Sequence, residues 1–223
     1  MDSKQITEIA NEKIKEWAKD MSKLVIGLDG YTGVGKTTLL NNLIALNPEI
    51  VAVNRDDFLF TRAEVKEKLA KAEDKSVVFE LEITNDQKLI DLVDAFRNNN
   101  DGTYEIDAFG PTSGETDIKK TFDLSKKIMI VEGVFMFHPK LPMSKLWNKR
   151  IYLEGDIAKI DERRIKREKE KWGDKYFPET HPDSNFRNLI IGLKRYFKLY
   201  KPKEKADLVL TVDQSVSKKI ISN

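Results

Sequence analysis

Short apolar runs alternate along this chain with longer amphipathic or polar stretches. Leu24 to Leu28, Ile50 to Val53, Ile128 to Val131, Ile151 to Leu153 and Leu208 to Val212 are such runs, each separated from the next by enough residues for a crossover. Runs that are apolar throughout, without alternation, are the pattern of parallel strands buried on both faces. Over residues 6–21, Ile6, Ile9, Ile14, Trp17, Ala18 and Met21 fall close to one helical face. Leu39, Leu40, Leu43 and Ile44 recur at helical spacing until Asn47-Pro48 stops them, and Leu89, Ile90, Val93 and Phe96 follow the cap signal Thr84-Asn85-Asp86 and end by Asn98 to Gly102. The pattern predicts a three-layer α/β domain with a mostly parallel sheet.

Residues 1–22 are expected to form a leading amphipathic helix packed on a single domain that spans 23–223; a partner-binding role is the alternative for that helix. Residues 101–117 are rich in Gly, Thr, Ser and Asp and read as a polar loop, functional or mobile. No internal repeat, low-complexity tract or interdomain linker stands out.

Composition narrows the classes. A length of 223 residues fits one generous domain, and the absence of cysteine excludes disulfides, thiolate nucleophiles and cysteine metal sites and suits a reducing, cytoplasmic location. No apolar stretch approaches the roughly 18 residues of a membrane span, and residues 1–22 mix acids with lysines in place of an export signal. The 39 basic and 37 acidic residues nearly cancel, at +2. That balance gives no reason to expect nucleic acid or an anionic membrane as partner.

The strongest chemical signal is Gly30-Tyr31-Thr32-Gly33-Val34-Gly35-Lys36-Thr37, which fits G-x-x-x-x-G-K-[ST] between a predicted strand and a predicted helix. Glycines let backbone N–H groups turn inward, and a helix start adds free donors and partial positive charge, so the segment from Gly30 through Thr32, Gly33, Val34, Gly35 and Lys36 to Thr37 and Thr38 is expected to cradle phosphates. Lys36 would reach the β- and γ-phosphates and the Thr37 hydroxyl would ligate Mg²⁺.

Ligands of open parallel sheets gather at the carboxyl ends of the strands. Two runs end in acids: Val53 leads into Asn54-Arg55-Asp56-Asp57-Phe58, and Val131 into Glu132-Gly133. In phosphoryl transfer a carboxylate must accept the acceptor's proton and Mg²⁺ needs oxygen ligands; Asp56 suits the first task, and Glu132 with Thr37 the second. The plainer alternative is that such acids only cap helices. Asp57 is open between a cap, a supporting partner and a substrate ligand. From Asp156 to Glu168 a charged helix brings Arg164 and Arg167 onto adjacent turns; it is either a solvated helix with internal ion pairs or a lid whose arginines close over the triphosphate.

Taken in order, Gly30 to Thr38, Arg55-Asp56-Asp57-Phe58, Ile130 to Phe135, Arg163-Arg164-Ile165-Lys166-Arg167-Glu168 and Lys201 to Asp207 resemble the uridine kinase-like branch of P-loop kinases, a group that also includes nicotinamide riboside kinase, pantothenate kinase and phosphoribulokinase. The resemblance runs from about Leu24 to Val212. It implies a three-layer α/β/α P-loop NTPase fold with a five-stranded, mostly parallel sheet and a helical lid near 156–185. It further implies ATP and Mg²⁺ as cofactors, Asp56 as general base, Glu132 as the acidic Mg²⁺ site and Arg163, Arg164 and Arg167 as lid arginines.

Nucleoside-phosphorylating members carry a His-Pro and Asp segment where this chain has Phe79 to Asp86. They carry Tyr-Asp, then His and Arg, where it has Tyr104 to Gly110, so Tyr104 alone can be matched as a substrate contact. His138 and His181 fall outside the motif positions and are expected to be structural or exposed.

The function expected is transfer of the γ-phosphate of ATP to a hydroxyl of a small metabolite, nucleoside-like or other. The alternative is an NTP-dependent switch or regulatory ATPase. A GTPase would need Asn-Lys-x-Asp, and Asn148-Lys149-Arg150-Ile151 lacks the acid. A homo-oligomer is compatible with this pattern.

Overall fold

A computed structural model of the chain describes residues 3–98, 101–173, 176–181 and 184–212. Five strands form the main sheet: β1 (Leu24–Gly30), β2 (Ile50–Asn54), β5 (Ile128–Glu132), β6 (Lys149–Glu154) and β7 (Leu208–Thr211), in the order β2-β5-β1-β6-β7 with every pairing parallel. All seven residues of β1 and all five of β5 are buried. This is why their sequences are apolar without alternation. β1 lies at the centre, and the chain leaves it toward β2 on one side and later fills β6 on the other. The crevice therefore opens at the carboxyl end of β1, where the direction of winding reverses.

The helices cover the sheet. α1 (Ser3–Ala18) buries Ile6, Ala10, Ile14 and Ala18, a four-residue spacing that makes one stripe, and packs on α2 (Lys36–Leu46). Asn47 Nδ2 donates to Asn11 Oδ1 at 3.3 Å and reinforces that seam. The helix ends at Ala18, short of Met21, and Ile9 is left exposed because it is offset from the stripe. α5 (Asp86–Asn98) buries Leu89, Leu92, Val93 and Phe96.

Two helices lie between β2 and α5 where the periodicity gave no clear signal. α3 (Arg62–Lys71) buries nothing and begins with a capping box between Thr61 and Glu64. α4 (Lys75–Leu81) is a short helix held against α7 (Asn185–Tyr200).

The segment read as a polar loop over 101–117 is largely ordered strand. β3 (Thr103–Ala108) pairs antiparallel with β4 (Ile118–Asp123), so only 109–117 connects them. Ile106 and Ala108 turn to the core while Thr103, Glu105 and Asp107 face outward. The alternation is of period two, but its outward half carried the polar composition that disguised it. α6 (Ile157–Trp172), capped by Asp156, follows β6, and the segment between it and α7 completes the 156–185 region assigned to a lid. Of that region, 174, 175, 182 and 183 lie outside the described residues. Among the described residues no helix is long and apolar enough to cross a membrane.

Candidate active site

The glycine-rich segment leaves β1 and enters α2 as the motif requires. Gly33 and Gly35 have φ of 79° and 112°, in the left-handed region where a side chain is strained. Gly35 caps α2 with its backbone alone, and a Cβ there would meet open space. A Cβ on Gly30 would lie 2.3 Å from the Leu153 carbonyl oxygen, so the loop presses against β6 and only glycine fits.

Lys36 is buried and folds back over this loop, its ammonium donating to the carbonyls of Gly30 and Tyr31 at 3.0 and 3.2 Å. Burial lowers its pKa, while Glu132, Asp29 and Asp56 nearby oppose that shift.

Register brings the acids to the same place. Glu132, the last residue of β5, pairs with Asn54 of β2 and Leu28 of β1. Its Oε1 accepts the Thr37 hydroxyl at 2.6 Å, which fastens the start of α2 to the end of β5. Burial raises the Glu132 pKa; the Thr37 bond and Lys36 counteract it, and Asp56 and Asp57 add to it.

Asp56 sits in the single turn of 3-10 helix Arg55–Phe58, with its N–H donated to the Asn54 side chain at 2.9 Å. Its carboxyl projects into the cleft. The surrounding walls desolvate it and raise its pKa, against the pull of Lys36 and Arg55.

Thr32, Gly33, Val34, Gly35, Lys36, Thr37, Thr38, Asp56 and Glu132 all line one cleft of about 770 Å³. Arg163, Arg164 and Arg167 line its far wall but do not behave alike. Arg163 and Arg167 are exposed. Arg164 is buried, paired with Asp161 at 3.3 Å and with Glu179, and its guanidinium lies 3.2 Å from the centre of the Phe186 ring. The sequence grouped the three; the structure gives Arg164 the additional work of holding α6 to the segment before α7. Tyr31 donates to Asp161 at 3.0 Å, so the phosphate loop is tied to the same helix.

Two sequence-derived substrate contacts are placed elsewhere. Asp57 is paired with Lys120 of β4 at 2.6 Å and its carbonyl accepts from Phe109 N at 2.9 Å; it anchors the hairpin, and the cleft lining does not include it. Tyr104 packs on the core opposite Phe122 and is also outside that lining. His138 is buried, its Nε2 2.9 Å from Glu80 Oε1 and its Nδ1 accepting from Lys140 N at 3.2 Å. Neither histidine lines the cleft. The Asn148 side chain accepts from Val25 N at 2.9 Å, a structural use of that residue.

Sequence reasoning missed Asp29. It is fully buried immediately before the loop; its Oδ1 accepts from Gly30 N at 2.7 Å and its Oδ2 accepts the Tyr196 hydroxyl at 2.6 Å. Burial raises its pKa, with the Tyr196 bond and Lys36 holding it down. An acid inside an otherwise apolar strand was the available signal.

The residues fit the groups the motif implies. Inward backbone, a buried ammonium and a helix start form an anion cradle, and the Thr37 hydroxyl beside the Glu132 carboxylate offers two oxygen ligands to a small hard cation. Among the described residues no group of three or more acids or histidines could hold a metal by itself. Mg²⁺ commonly takes one or two protein oxygens and completes its shell with phosphate and water.

No protein-family profile matches the chain. Similar sequences include nicotinamide riboside kinase 1 of Rattus norvegicus, 27% identical over 148 residues that cover 66% of this chain and 68% of that protein. The Homo sapiens counterpart is 25% identical over 150 residues, 66% of each. Among solved structures, a possible uridine kinase from Bacillus stearothermophilus superposes with a TM-score of 0.69 at 19% identity, covering 96% of this chain and all of that one. Phosphoribulokinase from Rhodobacter sphaeroides gives 0.57 at 12% identity over 85% and 70%. With its glycine-rich loop between β1 and α2 and its parallel five-stranded sheet, the chain has the α/β fold of these P-loop kinase structures and is similar in sequence to the nicotinamide riboside kinases.

Proposed function

We propose that this protein is an ATP-dependent kinase that phosphorylates a hydroxyl of a small metabolite, with Asp56 as the general base. The observation that carries the reading is the convergence of Lys36, the Thr37–Glu132 pair and Asp56 on one cleft.

The backbone from Gly30 to Thr38 and the Lys36 ammonium hold the terminal phosphates of ATP in place. Thr37 and Glu132 hold Mg²⁺, which when bound supplies charge neutralisation to the transferring group. Asp56 accepts the proton as the acceptor oxygen bonds to the γ-phosphorus and the bond to the β–γ bridging oxygen breaks, leaving ADP. A raised pKa makes Asp56 a stronger base than an ordinary carboxylate. Arg163 and Arg167 face the charge that develops on the moving phosphoryl group, and α6 with the segment to 185 acts as a lid that excludes water. Residues 23–223 are taken as one kinase domain on which α1 packs, and the protein works as a cytoplasmic enzyme.

ATP consumption measured with and without a panel of alcohols tests this. Turnover should depend on an acceptor; slow hydrolysis indifferent to every alcohol would favour a regulatory ATPase and sink the kinase reading. Asp56→Asn should retain ATP binding and lower transfer by roughly 10²–10⁴. A mutant of undiminished rate would remove Asp56 from the role.

A further inference from the structure

The acceptor side of the cleft differs in character from the phosphate side. Leu59, Phe79, Ile83, Val134 and Leu189 line it, all half-buried. They come from four separate parts of the chain: the end of the 3-10 turn, α4 and its exit, the segment after β5, and α7. The wall is fixed by backbone pairing. Phe60 N donates to Ile83 O at 2.9 Å, Asn85 N to Phe58 O at 2.8 Å, and Leu59 bridges Thr84. α4 is in turn clamped to α7 by Arg195, which pairs with Asp74 at 3.0 Å and Glu80 at 2.6 Å.

The polar groups on this side are acids and an amide already in use. Asp56 and Glu132 project there, and the Asn54 side-chain oxygen is taken by Asp56 N–H. Among the described residues the neighbouring cations lie outside the lining and are held by other groups, although the Arg55 Nε is buried without a partner. Arg55 donates to Val134 O at 2.9 Å and pairs with Asp86 at 3.2 Å; Lys120 holds Asp57; Arg62 donates to the carbonyls of Pro111, Thr112 and Ser113. Among the described residues the cations that do line the cleft are Lys36 and the α6 arginines. These belong to the loop side, where Ile160 and Arg164 stand over Gly33.

From this division, and resting on the kinase reading above, we infer that the acceptor is an alcohol without negative charge whose body is apolar, and that the site rejects acceptors bearing a phosphate or carboxylate. An anion placed against these five side chains would lose its hydration and would face Asp56 and Glu132, and the described cation nearest those acids, Lys36, is already donating to the Gly30 and Tyr31 carbonyls. An apolar body gains from the same wall.

A matched pair gives the test. Benzyl riboside and its 4-carboxybenzyl counterpart differ in one carboxylate, and ribose 5-phosphate and glycerate extend the anionic set. Binding is measured by calorimetry with a non-hydrolysable ATP analogue present, and turnover is measured separately. Benzyl riboside should bind at least about tenfold more tightly than the carboxylate. Leu59→Lys, and independently Val134→Lys, should narrow or reverse that ratio while leaving the KM for ATP near its wild-type value. Equal or tighter binding of the anionic set by the wild type, failure of every uncharged member to bind, or an unchanged ratio in both folded lysine variants would each overturn the inference. Uncharged alcohols that bind but accept no phosphate would leave the assigned acceptor class standing and defeat the kinase reading instead.

Discussion

Replacing Tyr196 with phenylalanine removes one buried oxygen and leaves the ring in place. The edge-on contact with Phe135, at 5.4 Å between centres, and the stack on His138, also at 5.4 Å, would persist, so little cavity forms. Two hydrogen bonds go. The hydroxyl no longer donates to Asp29 Oδ2 at 2.6 Å, and Phe137 N loses the acceptor it had at 3.1 Å. A bond to a charged acceptor contributes about 1.5–3 kcal/mol, and the Phe137 N–H, left with Asp29 alone as acceptor, adds up to about 1 kcal/mol, so the loss should be about 2–4 kcal/mol. For a chain of this size that lowers Tm by roughly 5–15 °C.

The effect carries a pH signature. Burial already holds the Asp29 pKa above its ordinary value, and losing the Tyr196 donor pushes it further up. A carboxyl with a raised pKa in the folded state binds its proton more tightly folded than unfolded, so protonation favours folding. The deficit of Tyr196→Phe should therefore be full when Asp29 is ionised and shrink as pH falls through its raised pKa. Denaturant titrations at several pH values, in a cycle with Asp29→Asn, separate this pair from the rest of the core. A loss under about 0.5 kcal/mol at neutral pH, or additive single mutants, would refute the account.

Other outcomes follow from the site. Glu132→Gln, which keeps the shape but removes a ligand charge, should raise the Mg²⁺ concentration needed for half-maximal turnover several-fold with little change in Tm, read from a metal titration. Gly30→Ala places a methyl 2.3 Å from the Leu153 carbonyl and should abolish ATP binding or destabilise the fold by about 1–3 kcal/mol, checked by calorimetry and melting. The acid limb of kcat against pH should fall above the usual carboxylate range because the cleft walls desolvate Asp56, though its edge stays open to solvent, activity being lost as that group takes up its proton; a limb at an ordinary carboxylate pKa would contradict this.

The parts legible in the sequence were those whose signal is local or repeated. Ile128 to Val131 could only be a buried strand, and Gly30 to Thr37 declares its geometry through residues that tolerate left-handed backbone. What escaped depends on contacts across the chain. Asp57 adjoins Asp56 in sequence, yet the 3-10 turn directs one carboxylate to the cleft and the other to Lys120, 63 residues away. Arg164 looked like its neighbours until Asp161, Glu179 and Phe186 enclosed it. β3 was hidden because one face of the hairpin is solvent-facing and polar, and α3 because it buries no apolar stripe at all.

α7 reaches four separate parts of the structure around the cleft. Tyr196 supports the glycine-rich loop from behind through Asp29, Phe186 lies beneath Arg164, Leu189 lines the apolar part of the cleft, and Arg195 grips α4. It is a strut common to both ends of the cleft, and a small axial slide of it would disturb the loop and the apolar wall together. On the proposed kinase reading, altered residues on its outer face, remote from any chemistry, should thus move the two Michaelis constants in concert.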